Sequence, residues 1–311
     1  MPCRDAALPR CHGALSEPKR LSQRQQSRKI PISQKTTVRQ TITVQRTEVQ
    51  IDGPAGPRAV QAQCIVLLHG WPDTLALWDA TVACLAPHYR CARFTWPGFG
   101  PGDAARTPSL ADQVALLHGV VLAVGGGQPV TLLLHDWGCF FGYQFAMQHP
   151  DLVTRVVGVD VGDAGSKAHR AALTFKQLLM VAGYQLWLAV AWRLGGALGD
   201  RMARWMARAM QVPTPQAQIR AAAGYPYWLT WTGAYRAARP FVPTVPMLYV
   251  YGQRKPVMFQ SRAWCDALAG RPGSRVLGLP AGHWVMLDAA PAFHAALVDW
   301  LQATDIDPPM A

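Results

Sequence analysis

The chain predicts an α/β fold, a mostly parallel sheet flanked by helices with a helical block inserted before the last strands. Three observations predict it. Short, continuously apolar runs such as Cys64–Leu68 (CIVLL) and residues 129–134 (PVTLLL) read as strands buried on both faces, as in parallel sheets. These runs alternate with helical stretches, the order that lays parallel strands beside one another under crossover helices. From 166 to about 240 the rhythm stops, and a segment rich in Trp, Met, Ala and Arg at helical spacing shows no strand pattern. At 311 residues the chain is long enough for one such core and its insertion.

Each element has a local reason. Alternation from Thr41 (TITVQRTEVQI) predicts a strand pair ending at the DGPAGP turn. Cys64–Leu68 follows and runs into His69-Gly70-Trp71-Pro72. Residues 77–85 read as helix and 89–96 (YRCARFTW) as strand. Residues 109–124 read as helix, with Ser109 as N-cap and Asp112 in the first turn. The strand at 129–134 breaks at Asp136 into a helix reaching Gln148, where His149-Pro150 stops it. Residues 153–163 (VTRVVGVDVGD) form the next strand. Strands resume at 243–252 and 274–280, and a helix over 291–301 closes the chain. The expected organisation is a basic tail over 1–46, a core over 47–165 and 241–303, a cap over 166–240, and a C-terminal tail over 304–311.

The net charge of +12 suggests nucleic acid until it is located. Residues 1–46 hold ten Lys or Arg against Asp5 and Glu17, which is +8 and leaves +4 for the rest. The body is therefore not read as a nucleic-acid binder. The tail is too polar to pack. A transit peptide is an alternative reading of it, although Pro2, Pro9, Pro18 and Pro31 argue against one long amphipathic helix. Seven cysteines without C-x-x-C spacing read as reduced thiols of a cytoplasmic protein. The most apolar stretch, 178–192, contains Gln185 and falls short of the roughly 20 residues that a membrane span needs. It reads as a buried helix, with contact to a membrane surface as the alternative. No metal or cofactor is expected.

Three motifs carry the chemistry. Leu134-His135-Asp136-Trp137-Gly138 has the form of a nucleophile elbow, a tight strand-to-helix turn, but holds aspartate where G-x-S-x-G holds serine. His69-Gly70-Trp71-Pro72 follows a buried strand. Gly282-His283-Trp284 follows the last strand, where a histidine can serve as a base near neutral pH.

Together these residues resemble the α/β-hydrolase family over roughly 47–303, in the branch of epoxide hydrolases and haloalkane dehalogenases. The resemblance implies that Asp136 is a nucleophile, that His283 is the general base, and that backbone N–H groups of Trp71 and Trp137 form an oxyanion hole. It places His69, Gly70, Trp71, Pro72 and Trp137 around the substrate, which would be a small apolar epoxide or haloalkane. In epoxide hydrolases two cap tyrosines protonate the leaving oxygen. Tyr235-Arg236 resembles the second of these and Tyr184 stands where the first would lie, with Tyr225 and Tyr227 as rivals. Trp71, in place of Asn or Glu, and Tyr235 favour epoxide over halide chemistry.

The chain departs from that branch at three places. Lys255 occupies the G-x-x-D position where many relatives keep the triad acid. Asp160, 24 residues beyond Asp136 at the end of the next strand, is the expected replacement, with Asp163 as fallback. Leu134 stands where the elbow usually has a small residue, and Thr95 where Asp often precedes the Pro-Gly turn. The missing acid keeps a second class open, a capped pocket that binds a small ligand without turning it over.

Overall fold

A computed structural model describes residues 37–304. Eight strands form one sheet: β1 (Thr37–Val44), β2 (Thr47–Pro54), β3 (Cys64–Leu68), β4 (Arg90–Phe94), β5 (Val130–His135), β6 (Val153–Val159), β7 (Met247–Gly252) and β8 (Arg275–Leu279). Their order is β1-β2-β4-β3-β5-β6-β7-β8. β1–β2 and β2–β4 pair antiparallel, and every pair from β4 through β8 is parallel. Every residue of β3 and β5 is buried, as their unbroken apolar runs predict. Each Leu, Ile or Val so covered contributes about 1.5–3 kcal/mol of apolar burial.

The core helices are α1 (Arg58–Gln61), α2 (Asp79–Leu85), α3 (Leu110–Gly125) and α4 (Trp137–Gln148). Ser109 caps α3 in a full capping box with Asp112. Between β6 and β7 lie α5 (Lys167–Ala172), α6 (Phe175–Leu194), α7 (Gly196–Ala209) and α8 (Tyr225–Trp231), and then α9 (Arg262–Ala269), α10 (Val285–Asp288) and α11 (Ala290–Ala303) complete the chain. α3 packs against α4 and α11 against α2.

Two expectations change. β1 begins at Thr37, inside the segment assigned to the tail. Most of its side chains are exposed at the sheet edge, so its sequence (TVRQTITV) carries little apolar signal. The remainder of that tail, 1–36, with Cys3 and Cys11, and residues 305–311 lie outside the described residues. The five described cysteines are free. Second, α6 is not wholly buried: Phe175, Leu179, Leu186, Val190 and Leu194 are exposed.

The topology fixes where a site can form. β3 lies between β4 and β5, so the chain runs outward from β3 first to one side and then to the other. Loops leaving the carboxyl ends of β3 and β5 diverge there, which opens a crevice at the reversal of strand order. Those loops carry His69-Gly70-Trp71 and Asp136.

Candidate active site

Asp136 follows β5 with φ 52° and ψ −121°, a conformation that non-glycine residues adopt only under constraint. The constraint is close packing of three backbone segments. A Cβ on Gly70 would lie 2.1 Å from Asp136 Oδ1, and one on Gly138 would lie 2.4 Å from the Leu68 carbonyl oxygen. Leu134 fits the turn because Gly142 leaves room: a Cβ there would come within 2.5 Å of Leu134 Cδ2.

A backbone N–H group holds the carboxylate: that of Trp71 donates to Asp136 Oδ1 at 2.7 Å, and the Trp137 amide follows directly at the start of α4. His283 Nε2 lies 3.5 Å from Asp136 Oδ2. On the other side of the ring, Nδ1–H donates to Asp160 Oδ2 at 2.5 Å. Asp160 is fully buried with φ 66°, and its Oδ1 accepts the Gly252 N–H at 2.9 Å. Lys255, at the position where the triad acid is missing, pairs with the replacement acid. Its ammonium sits 2.7 Å from Asp160 Oδ1 and 5.0 Å over the Phe259 ring. Asp163 is engaged elsewhere, accepting from Ser261 N–H at 2.6 Å and from the hydroxyls of Ser261 and Ser166.

The electrostatics follow from this geometry. Burial alone would lower the His283 pKa, but the Asp160 and Asp136 carboxylates outweigh it and raise it to about 9. Burial would likewise raise Asp136, yet the His283 imidazolium 3.5 Å away holds it below the ordinary carboxylate range. The site therefore rests as an ion pair.

Two neighbours were not singled out from the sequence. The His135 ring lies tilted 4.5 Å from that of His283, and its Nε2 donates to the His283 carbonyl oxygen at 3.1 Å. Burial pushes it down to about 3, so it adds no second positive charge. Asp73 accepts from Trp284 Nε1 at 2.9 Å and from the Thr214 hydroxyl, and burial raises it to about 6. Adjacency to motif residues was the available signal for both: His135 precedes Asp136, and Asp73 follows Pro72.

A cavity of about 890 Å³ opens over Asp136. Trp137, Phe140, Tyr184, Tyr227 and Tyr235 line it. His69, Gly70, Trp71 and Pro72, expected around the substrate, do not. His69 is fully buried: Nδ1–H donates to the Gly70 carbonyl oxygen, and Nε2 accepts the Trp96 N–H. It braces the loop rather than touching a ligand. Among the cap tryptophans, Trp187 packs tilted against Trp205 and Trp192 stacks on Trp228, while Trp231 reaches the cavity.

The tyrosines separate. Tyr225 packs on Phe99 and bonds Gln113, away from the cavity. Burial raises Tyr184, and the Asp136 charge raises it further. Tyr227 behaves alike, and its ring meets that of Trp137 edge-on at 5.2 Å. Tyr235 is raised by burial, and its hydroxyl is buried without a partner among the described residues.

Comparison with known proteins places these residues in context. Residues 63–290 match the family described as alpha/beta hydrolase fold. Epoxide hydrolase B of Mycobacterium tuberculosis is 33% identical over 113 residues, 35% of this chain and 32% of that protein. The chain spans about a third or less of the length of the first curated relatives it matches. Epoxide hydrolase A from Mycobacterium thermoresistibile aligns with a TM-score of 0.61 at 16% identity, over 88% of this chain and 100% of that one. A loop variant of the haloalkane dehalogenase DbeA from Bradyrhizobium elkanii aligns with a TM-score of 0.56 at 16% identity, over 86% and 97%. At these identities the structural likeness concerns the fold.

Proposed function

Because the chain belongs to the α/β-hydrolase fold family, we propose that its site hydrolyses a small apolar epoxide to a diol through an ester on Asp136. The observation that carries this is the unequal treatment of the two Asp136 oxygens. Oδ1 is held by the Trp71 N–H, while Oδ2 is left 3.5 Å from His283 as the attacking atom.

Oδ2 attacks an epoxide carbon, the C–O bond breaks, and a phenol protonates the departing alkoxide. We assign that proton to Tyr184 with Tyr235, whose hydroxyl has no other partner among the described residues. Oδ1 is then the carbonyl oxygen of the ester, already held by the Trp71 N–H, with the Trp137 N–H assigned as the second donor. Water attacks the ester carbon while His283 takes its proton, and those N–H groups stabilise the oxyanion. Collapse releases the diol and restores the carboxylate. The phenolate left by ring opening regains its proton through solvent from His283, which sheds the one it held at rest once esterification removes the Asp136 charge. The ring is then free to take the water's proton and ends the cycle protonated again. Asp160 fixes the His283 tautomer and stabilises the imidazolium.

Halide displacement is the weaker reading. It needs N–H donors for the leaving anion beside the Trp137 indole, and the residue after His-Gly is Trp71, whose own indole is buried outside the cavity. A pocket that only binds has no use for an aspartate held by a backbone N–H beside a paired histidine.

The test is one turnover in heavy-oxygen water, with excess enzyme over a panel of alkyl and aryl epoxides. The label is expected in Asp136 and absent from the first diol. Direct labelling of that diol overturns the ester. His283→Gln should accumulate protein heavier by one substrate, because ester formation does not need the base.

A further inference from the structure

The small net charge outside the tail conceals an asymmetry. Residues 166–240 hold ten Lys or Arg and a single acid, Asp200, which is +9. With +8 in residues 1–46 and +12 overall, the remaining chain carries −5. The helical block is thus strongly cationic over an acidic core domain.

The same block presents an apolar face to solvent. α6 is apolar nearly all round, as expected of a helix covered on every side. One side packs on α7 and α8, and Val181 and Tyr184 reach the cavity. The other side is open. Phe175, Leu179, Leu186, Val190 and Leu194 recur at intervals of about one or two turns and are exposed by 40–75%, and Trp205 on α7 adds an indole exposed by 51%. An exposed apolar stripe of this extent marks an interaction surface. Lys176, Arg193, Arg201 and Arg208 lie on the same helices, exposed and without a carboxylate partner among the described residues.

We propose that the outward face of α6 and α7 lies on an anionic membrane surface. Charge selects this occupant. A second copy would set +9 against +9, and the +8 tail would be repelled in the same way. Nucleic acid would satisfy the arginines but leave the aliphatic stripe without a partner. An anionic bilayer takes both: apolar side chains enter the acyl boundary, the indole lies at headgroup depth, and the cations meet lipid charge. The protein would rest on the membrane rather than cross it, since among the described residues no helix is long and apolar enough to span one. The docking does not depend on the chemistry assigned to Asp136.

Flotation of the full-length protein tests it, with vesicles of phosphatidylcholine containing about 30% phosphatidylserine set against pure phosphatidylcholine. Partition onto the anionic vesicles should be at least tenfold stronger and should weaken with salt. Leu186→Glu with Val190→Glu should lower it at least tenfold with the melting temperature unchanged, because both side chains already face water. Arg193→Glu and Arg201→Glu should each lower it by about fivefold or more. Replacing Arg20, Arg24, Arg28 and Lys29 by Gln in the full chain should leave substantial binding. The proposal is overturned if anionic vesicles do not bind, if pure phosphatidylcholine binds equally, if the stripe variant floats like wild type, or if the tail variant alone abolishes flotation. It is equally overturned if sedimentation shows a dimer that the stripe variant dissociates, or if an acidic protein but no vesicle is retained.

Discussion

Two aspartates stand at equivalent places on neighbouring parallel strands. Asp136 follows β5 and Asp160 follows β6, both at positive φ, 52° and 66°. Both residues therefore sit on the positive-φ side that non-glycine residues seldom adopt, and φ does not distinguish them. Their surroundings do. Asp136 keeps 18% of its side chain exposed, lines the cavity and leaves Oδ2 beyond hydrogen-bond distance of His283. Asp160 is fully buried, with both oxygens engaged by His283, Gly252 and Lys255. A carboxylate with a free oxygen can attack, whereas one saturated with donors can only hold a partner in place. In the proposed cycle, the number of donors around each carboxylate separates the attacking group from the positioning one.

Removing the attacking oxygen should have the largest effect. Asp136→Asn is expected to lower turnover by roughly 10⁴-fold or more, with no adduct detectable by mass spectrometry. Normal turnover would move the chemistry away from β5. Next comes the saturated carboxylate. Asp160→Asn should slow hydrolysis by roughly 10³-fold and destabilise the protein by about 3 kcal/mol, because Lys255 loses its anion in a buried place. Adding Lys255→Met should restore stability but not turnover, as thermal melts and kinetics would show. If the double variant melts lower still, the Lys255–Asp160 pair is not the source of the loss.

Tyr235→Phe is expected to slow epoxide opening by roughly 10²-fold while sparing haloalkane displacement, since a halide leaves without a proton. Tyr227→Phe provides the comparison, and a greater loss there would transfer the proton-donor role. The smallest effect should come from Lys255→Met alone, less than about tenfold at the pH optimum. Its signature is in the pH profile. Lys255 opposes the imidazolium, so its removal should raise the His283 pKa further. The rising limb of kcat should then move to higher pH by about one unit. A shift toward acid would mean that Lys255 acts only through packing.

Much of the Asp136 half of this contrast is legible in the sequence. An apolar strand breaking at Asp-Trp-Gly, a His-Gly-Trp turn upstream and a late Gly-His-Trp are local signals, and the geometry brings their residues together. Asp160 was legible because its strand end is set by VVGVD. Lys255 was legible only as the absence of an acid, since its pairing with Asp160 crosses from one strand end to another and leaves no local pattern. The strand pair read from Thr41 caught the second half of β1, while its start at Thr37 was assigned to the tail because an exposed edge strand needs no apolar side chains. His69 was placed at the substrate because a motif indicates neighbourhood, not direction, and the ring turns inward to Trp96. The cationic cap was hidden by arithmetic, since +9 and −5 sum to the small excess that read as bland.

The position of His283 between two carboxylates bears on timing. While both are anions they hold the ring protonated, with its pKa near 9. An ester carries no charge. Once Asp136 is esterified, one of the two anions is gone, and the ring's affinity for its proton falls. The base is thus disarmed while there is nothing to hydrolyse and armed by the arrival of the intermediate it must consume. In the proposed cycle the order of events needs no moving part: the substrate's own bond to the protein sets the clock.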